Sequence, residues 1–337
     1  MTRRFLLTTL IVIALAAPLS AADAAAKMDT WTPPKTAWGE PDLRGVWDFR
    51  TITPLERPKE LSGKDILNDQ EAAEFAAETL KIRDKDRRTE DGLTVQQDVG
   101  NAYNQFWWDY GDKLTEDKRT SLIVDPPDGR IPSLLPLAQK RYDAIRAARA
   151  RPAHSPVDRG VAERCLLGFN AGPPYSPSAY NNNVHIFQSP GYAVLLIEMV
   201  NDARIVPLDG RPHVAENIRQ WRGDARGHWE GNTLVVESAN FSDKTTFRGA
   251  GKNMRLTERF TRVGPDRIRY QYTVDDPESF EKPWTTLIPM KKTGEPMFEY
   301  ACHEGNYSML TMMEGARADD KAADEAAKQA ASEPAVR

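Results

Sequence analysis

The sequence of 337 residues predicts a mainly β fold: an antiparallel, lipocalin-like β-barrel with helices outside it, with a β-sandwich as the alternative. Short β-rich runs joined by tight turns fill residues 184 to 303, which is typical of a sheet that closes or nearly closes. The earlier Gly45-Val46-Trp47 resembles the Gly-x-Trp strand of lipocalin-type barrels and favours the barrel. A small barrel can enclose one ligand.

Residues 1–24 are predicted to be a cleaved secretory signal. Arg3 and Arg4 precede an apolar run at 5–17 that is short for a membrane span, and small residues follow it. The very apolar run favours the general (Sec) route over the twin-arginine route. No later stretch reaches transmembrane length, so we expect a periplasmic or secreted protein without a transmembrane segment in the mature chain.

Residues 25–183 are predicted to supply the first barrel strand, helices and long loops that cover the barrel. Asn68 with Glu71 forms a capping-box pattern that begins one helix, and residues 136–150 predict a second. The irregular stretch 152–183 and the aromatic segment at 105–110 are expected to cover the barrel mouth, because long loops in compact domains are often functional.

An antiparallel meander of about nine strands is predicted over residues 184–304, ending in a strand at 296–303. Its clearest hairpin spans residues 253–276, where alternation puts apolar side chains of both strands on one face. Residues 305–337 are predicted to be a helix with a tail that frays from Ala316.

Cys165 and Cys302 are the two cysteines of the chain, and both remain after removal of the signal. An even count in an exported protein favours a disulfide bond. Two buried free thiols are the alternative.

Several function classes lack their sequence signals. The net charge of −4 gives no basic surface for nucleic acid. The chain has neither a glycine-rich phosphate loop nor a Gly-x-Ser-x-Gly motif, and no spacing of histidines and cysteines predicts a metal site. We therefore predict no cofactor, no bound metal and no nucleic-acid partner, and leave the oligomeric state open.

Candidate catalytic residues follow from strand alternation. Glu258 lies between apolar residues on the core-facing side of its strand, where a carboxylate must be paired or have a raised pKa. His228 or His303 could act as general acid or base, with Glu258 or Glu304 as its partner. The alternative is a purely structural role for Glu258, in which it forms an ion pair with an internal arginine and only fixes the strand register.

A ligand would need aromatic surfaces and a few polar groups. The candidates for ligand contact are Arg226, Trp229, Tyr300, Trp107, Trp108 and His185. The leading hypothesis is a periplasmic barrel that binds a small amphipathic or aromatic molecule. A cofactor-independent lyase, isomerase or hydrolase with a His/Glu pair is the alternative, and a structural module of the cell envelope is the third; whether the chain is an enzyme stays open.

Long motifs run in order through residues 38–318, among them CLLGFNAGPP, SAYNNNVHIFQSPGY, WRGDARGHWEGNTLVVESANFSDKT and YACHEGNYSMLTMMEGAR. In these motifs the chain resembles a family of uncharacterised exported proteins of soil and water bacteria, usually labelled hypothetical. The resemblance implies a single exported structural unit and implies no activity, cofactor or catalytic residue.

Overall fold

The computed structural model describes residues 31–84, 105–151, 153–245 and 247–332. The predicted signal at 1–24 lies outside these residues. All helices and strands described below belong to one compact unit that starts at Thr32. Among the described residues, no helix is long and apolar enough to cross a membrane.

The fold is a nearly closed antiparallel β-barrel, which confirms the predicted fold class. In the described part of the chain, nine strands form the barrel wall and a tenth short strand, β2, pairs with β10 outside that path. The strands are β1 (Gly45–Asp48), β2 (Ile123–Asp125), β3 (Asn183–Ser189), β4 (Tyr192–Ile197), β5 (Asp202–Pro207), β6 (Asp224–Glu230), β7 (Thr233–Ala239), β8 (Arg255–Gly264), β9 (Arg267–Asp275) and β10 (Trp284–Thr293).

The hydrogen-bonded order of the wall is β5-β4-β3-β1-β10-β9-β8-β7-β6. β5 and β6 lie side by side at the two ends of this order without a hydrogen-bonded ladder between them. Gly227 of β6 allows this close approach, because a Cβ there would lie 2.6 Å from Leu208 and 2.8 Å from Val206. Side-chain packing rather than backbone pairing therefore closes this seam.

Trp47 packs inside the barrel beside Arg262, a residue close to the β8–β9 turn. Its side chain is fully buried and its Nε1 donates to the Leu43 carbonyl at 2.8 Å. The Arg262 guanidinium lies 5.6 Å from the centre of the indole ring and donates to the Asp42 carbonyl at 2.7 Å. A cation over an aromatic face stabilises both groups in a dry environment.

Three helices lie outside the barrel in the described part of the chain: α1 (Asp69–Arg83), α2 (Pro136–Arg149) and α3 (Tyr307–Ser332). The predicted capping box is confirmed, since Asn68 and Glu71 exchange side-chain-to-backbone hydrogen bonds at the start of α1. α3 extends well past Ala316, where the sequence predicted fraying, because its Ala-, Asp- and Lys-rich continuation is dominated by alanine, the strongest helix former.

The predicted ninth strand of the meander, at 296–303, is wrong. Eight strands run from Asn183 to Thr293, and no strand follows in residues 294–306. The backbone N–H of Phe298 donates to the Glu198 carboxylate instead of to a neighbouring strand. A turn follows, in which Asn306 N–H donates to the His303 carbonyl. The segment leaves the sheet to reach Cys165.

The predicted disulfide between Cys165 and Cys302 is confirmed. It joins the start of the long loop before β3 to the irregular segment before α3. Asn306 reinforces this connection, because its Nδ2 donates to the Glu163 carbonyl at 2.9 Å. The start of the loop is thereby fixed beside the residues that lead into β5.

We predict that replacing both cysteines by serine lowers the free energy of unfolding by about 2–5 kcal/mol, because the bond closes a loop with a sequence separation of 137 residues. Urea unfolding of the double variant and the oxidised wild type measures this difference. The two single serine variants serve as controls and should resemble the double variant. A loss below about 1 kcal/mol would show that the loop is held by its other contacts.

Candidate functional site: the polar interior of the barrel

The barrel interior is packed with aromatic side chains but also contains charged and hydroxyl groups. The alternation predicted for β8 and β9 is confirmed, since every second residue of each strand is buried. The largest fully buried side chains are Trp47, Trp284, Tyr175, Tyr270, Tyr272, Phe49, Phe260 and Phe280. The polar groups among them are the natural place to look for function.

Glu258 and Arg204 form an ion pair in this interior. Glu258 is 0% exposed and Arg204 is 7% exposed. Arg204 Nη2 lies 2.7 Å from Glu258 Oε2. β5, which borders the seam, positions the arginine, and β8 positions the carboxylate. The ion pair therefore links two strands that are not neighbours in the sheet. Arg204 is thus the internal arginine that a structural ion pair with Glu258 required.

Two tyrosines complete what we call the inner cluster: Arg204, Glu258, Tyr270 and Tyr175. The Tyr270 hydroxyl donates to Glu258 Oε1 at 2.7 Å and accepts from the Tyr175 backbone N–H at 3.1 Å. The Arg204 guanidinium carbon lies 5.5 Å from the centre of the Tyr175 ring. Tyr175 comes from the loop at 166–182, which enters the barrel end where β1 ends and β3 begins.

Several buried donors in the barrel interior have no acceptor among the described residues. Arg204 Nε and Nη1 have no hydrogen-bond partner among the described residues, and neither has the Ser238 hydroxyl. The short Nη2–Oε2 contact also lacks hydrogen-bond geometry, so we treat it as an ion pair alone. Buried polar atoms are hydrogen-bonded in the large majority of cases, so such a concentration of unmatched donors is a sign of a binding site.

Burial changes the acid–base properties of the cluster. Burial raises the pKa of Tyr175 to about 12, and the Glu258 charge adds to this effect while Arg204 opposes it. Burial and the neighbouring Glu258 raise the pKa of Tyr270 well above its ordinary value. Burial disfavours the charged form of Arg204, but Glu258, Tyr175 and Tyr270 together outweigh it and raise the pKa of this side chain overall. The tyrosines are therefore neutral donors at physiological pH.

The predicted catalytic residues do not assemble around Glu258. His228 is exposed on the outer wall, where its Nε2 lies 3.2 Å from Glu230 Oε1. His303 and Glu304 are exposed and line a pocket of about 310 Å³ beside the disulfide. Glu258 lies inside the barrel, so the geometry brings none of these groups to it.

The residues predicted to contact a ligand are spread over several places. Arg226 binds Asp224 at 2.7 Å, and His185 stacks on Phe187 on the outer wall. Tyr300 stacks on Tyr180 of the long loop.

The three tryptophans predicted to contact a ligand lie in different surroundings. Trp107 is exposed to solvent, and Trp108 stacks on Tyr110. Trp229 packs against the core, and its Nε1 is buried with no acceptor among the described residues. None of the three contacts the inner cluster through a hydrogen bond between described residues.

A groove of about 770 Å³ lies on the outer wall between α1 and the segment around Trp108. Its volume suits a small molecule. Some of its charges satisfy one another, since Arg50 binds Asp48 and Asp109 and Arg267 binds Glu116. Its other charged side chains, Arg83, Lys113, Lys291 and Asp112, lie at an open surface where water can solvate them. We therefore place the candidate site at the inner cluster, whose donors are unmatched.

Sequence reasoning missed three residues with notable partners. Arg204 and Tyr175 belong to the inner cluster. His213 Nδ1 lies 2.8 Å from the buried Asp224 carboxylate, in a histidine–aspartate pair on the outside of the barrel. Strand alternation in residues 202–207 puts Arg204 on the same face as Val206, but it does not decide between that face and the face of Ala203 and Ile205. No comparable sequence signal points to Tyr175 or His213.

Comparisons with protein-family models, with curated proteins and with solved structures return no match.

We predict strong coupling between the two charges. Arg204→Met should lower the free energy of unfolding by about 3–5 kcal/mol, because it leaves Glu258 charged and buried. The double variant Arg204→Met/Glu258→Gln should recover most of this loss, because the introduced amide is neutral and could still accept from Tyr270. Urea unfolding of the four proteins gives the coupling. Additive losses in the double variant would contradict an isolated buried pair.

We predict that the protein loses stability in alkali. A tyrosine with a raised pKa contributes stability that is fully present below the ordinary value of 10.0 and is lost as pH rises through the folded value, about 12 for Tyr175. In that window the unfolded chain releases protons first, at about 1.4 kcal/mol per pH unit for each such group.

Urea unfolding between pH 9 and pH 12 measures this slope. Tyr175→Phe should reduce it by one group, whereas Tyr307→Phe, at a position that is 76% exposed, serves as the control and should leave it unchanged. An equal slope in wild type and Tyr175→Phe would contradict the assignment.

Proposed function

We propose that this protein works outside the cytoplasm and binds a small amphipathic or aromatic molecule in its barrel. The site would lie at the end that the loop at 166–182 enters, which we call the loop-side end. The observation that carries the proposal is the buried Arg204 guanidinium, whose Nε and Nη1 have no acceptor among the described residues. A buried donor without an acceptor costs free energy, and a ligand with an acceptor oxygen would recover it.

The walls around this donor suit an aromatic or amphipathic molecule. Tyr175, Tyr270 and Phe260 form a run of ring contacts with centroid separations of 5.8 and 4.7 Å. Ligand sites in proteins are mostly apolar, with a small number of polar groups that fix orientation. The inner cluster has this composition.

Access would come through the loop at 166–182. Two hydrogen bonds connect this loop to side chains of β9 inside the barrel. The Tyr175 backbone N–H donates to the Tyr270 hydroxyl, and the Ser176 and Tyr272 hydroxyls lie 3.4 Å apart. A loop segment can move out without breaking a strand ladder, and lids of this kind commonly admit ligands. We propose that outward movement of Tyr175 opens the site.

Location outside the cytoplasm is supported by the disulfide, because such bonds persist in oxidising compartments. It is also supported by the signal-like pattern of residues 1–24 and by the resemblance to exported proteins. The His/Glu acid–base enzyme is not proposed, because neither His228 nor His303 reaches Glu258.

We predict that wild-type protein binds 6-propionyl-2-(dimethylamino)naphthalene, a neutral amphipathic fluorophore whose carbonyl oxygen can accept from Arg204, and that binding depends on the inner cluster. The double variant Arg204→Met/Glu258→Gln should bind at least tenfold more weakly, since a hydrogen bond to a charged group contributes about 1.5–3 kcal/mol. Fluorescence titration measures both affinities.

Arg259→Met, on the outer face of β8, is the matched control and should bind like wild type. Absence of binding to wild type, or equal binding by the double variant, would refute a site at the inner cluster. Circular dichroism of each variant confirms that it remains folded.

A further inference from the structure

Tyr175 reaches the barrel interior from a loop, whereas Arg204, Glu258 and Tyr270 stand on strands. Its side chain is 1% exposed and belongs to the core. A side chain held this way can leave the interior while the wall keeps its hydrogen bonds. The space that it occupies is therefore the space that a ligand entering at this end would take.

The surroundings of Tyr175 define what fits there. The Phe49 ring lies nearly parallel to the Tyr175 ring at 6.0 Å, and the Tyr270 ring lies at 5.8 Å. The Arg204 guanidinium carbon is 5.5 Å from the ring centre. Two aromatic walls and one cation make a compartment for a single planar ring.

The charges beside this compartment are already balanced. Arg204 pairs with Glu258, and Arg222 pairs with Asp202 next to it. An added carboxylate would be a third buried anion without its own counter-ion, and such charges are costly. A neutral carbonyl oxygen could accept from Arg204 Nε or Nη1 without that cost.

We infer that the ligand is a neutral aromatic carbonyl compound whose ring replaces Tyr175 and whose oxygen accepts a hydrogen bond from Arg204. The inference rests on the proposed function, and it adds the class of ligand. It makes two distinctions that can be measured: the carbonyl must improve on an aromatic hydrocarbon of similar shape, and a carboxylate must not improve on the carbonyl.

The test uses wild type and Tyr175→Ala, in which the ring is removed, with acetophenone, ethylbenzene and benzoate as probes. Thermal shift and calorimetric titration at equal probe concentrations give the affinities. Acetophenone should bind about tenfold to a hundredfold tighter than ethylbenzene. It should also bind tighter than benzoate.

Two controls make the result specific. Adding Arg259→Met, on the outer face of β8, to Tyr175→Ala should leave the preference for acetophenone unchanged. Adding Arg204→Met and Glu258→Gln to Tyr175→Ala should remove the preference for acetophenone. Tyr175→Leu replaces Tyr175→Ala if the latter does not fold.

The outcomes separate the class of ligand from the proposed function. Equal affinity of Tyr175→Ala for acetophenone and ethylbenzene, or tighter binding of benzoate, would overturn the inferred class. Preference for acetophenone in Tyr175→Ala, together with no binding to wild type, would support the class and overturn the opening of the loop. Preference in both proteins would support both.

Discussion

The ion pair between Arg204 and Glu258 is the interaction on which the interior of this barrel depends. Arg204 stands on β5, which lies at one side of a seam without a backbone ladder, and Glu258 stands on β8. The pair therefore connects the unladdered edge of the sheet with a strand that is paired on both sides. A charge pair in so dry an interior adds little net stability by itself, but removal of either partner leaves an unmatched charge.

The rest of the loop-side end is arranged around this pair. Tyr270 satisfies one oxygen of Glu258 and also holds the backbone of Tyr175, so the loop, the tyrosine and the ion pair form one connected network. The disulfide fixes the start of the same loop to the segment before α3. Trp47 and Arg262, by contrast, satisfy their polar groups with backbone carbonyls. The candidate site is placed at Arg204, because this buried side chain has two nitrogens, Nε and Nη1, without an acceptor among the described residues.

Much of the wall could be predicted from the sequence, because period-two alternation in β8 and β9 and the turns between strands are local signals. The same alternation placed Glu258 inside. The inward position of Arg204 could not be predicted because β5 reverses the usual pattern. The charged residue points inward and Ile205, which is 63% exposed, points outward. Tyr175 lies in an irregular loop whose path depends on distant contacts. The stretch at 296–303 has the composition of a strand, but the disulfide draws it away from the sheet.

A crystal structure of the wild-type protein grown with acetophenone would show whether the inner cluster holds a ligand. We expect the ketone inside the loop-side end, its oxygen within hydrogen-bond distance of Arg204 Nε or Nη1, and the Tyr175 side chain displaced from the barrel. A structure with Tyr175 in its present position, and with the ketone in the outer groove or absent, would contradict the claim that the inner cluster is a ligand site.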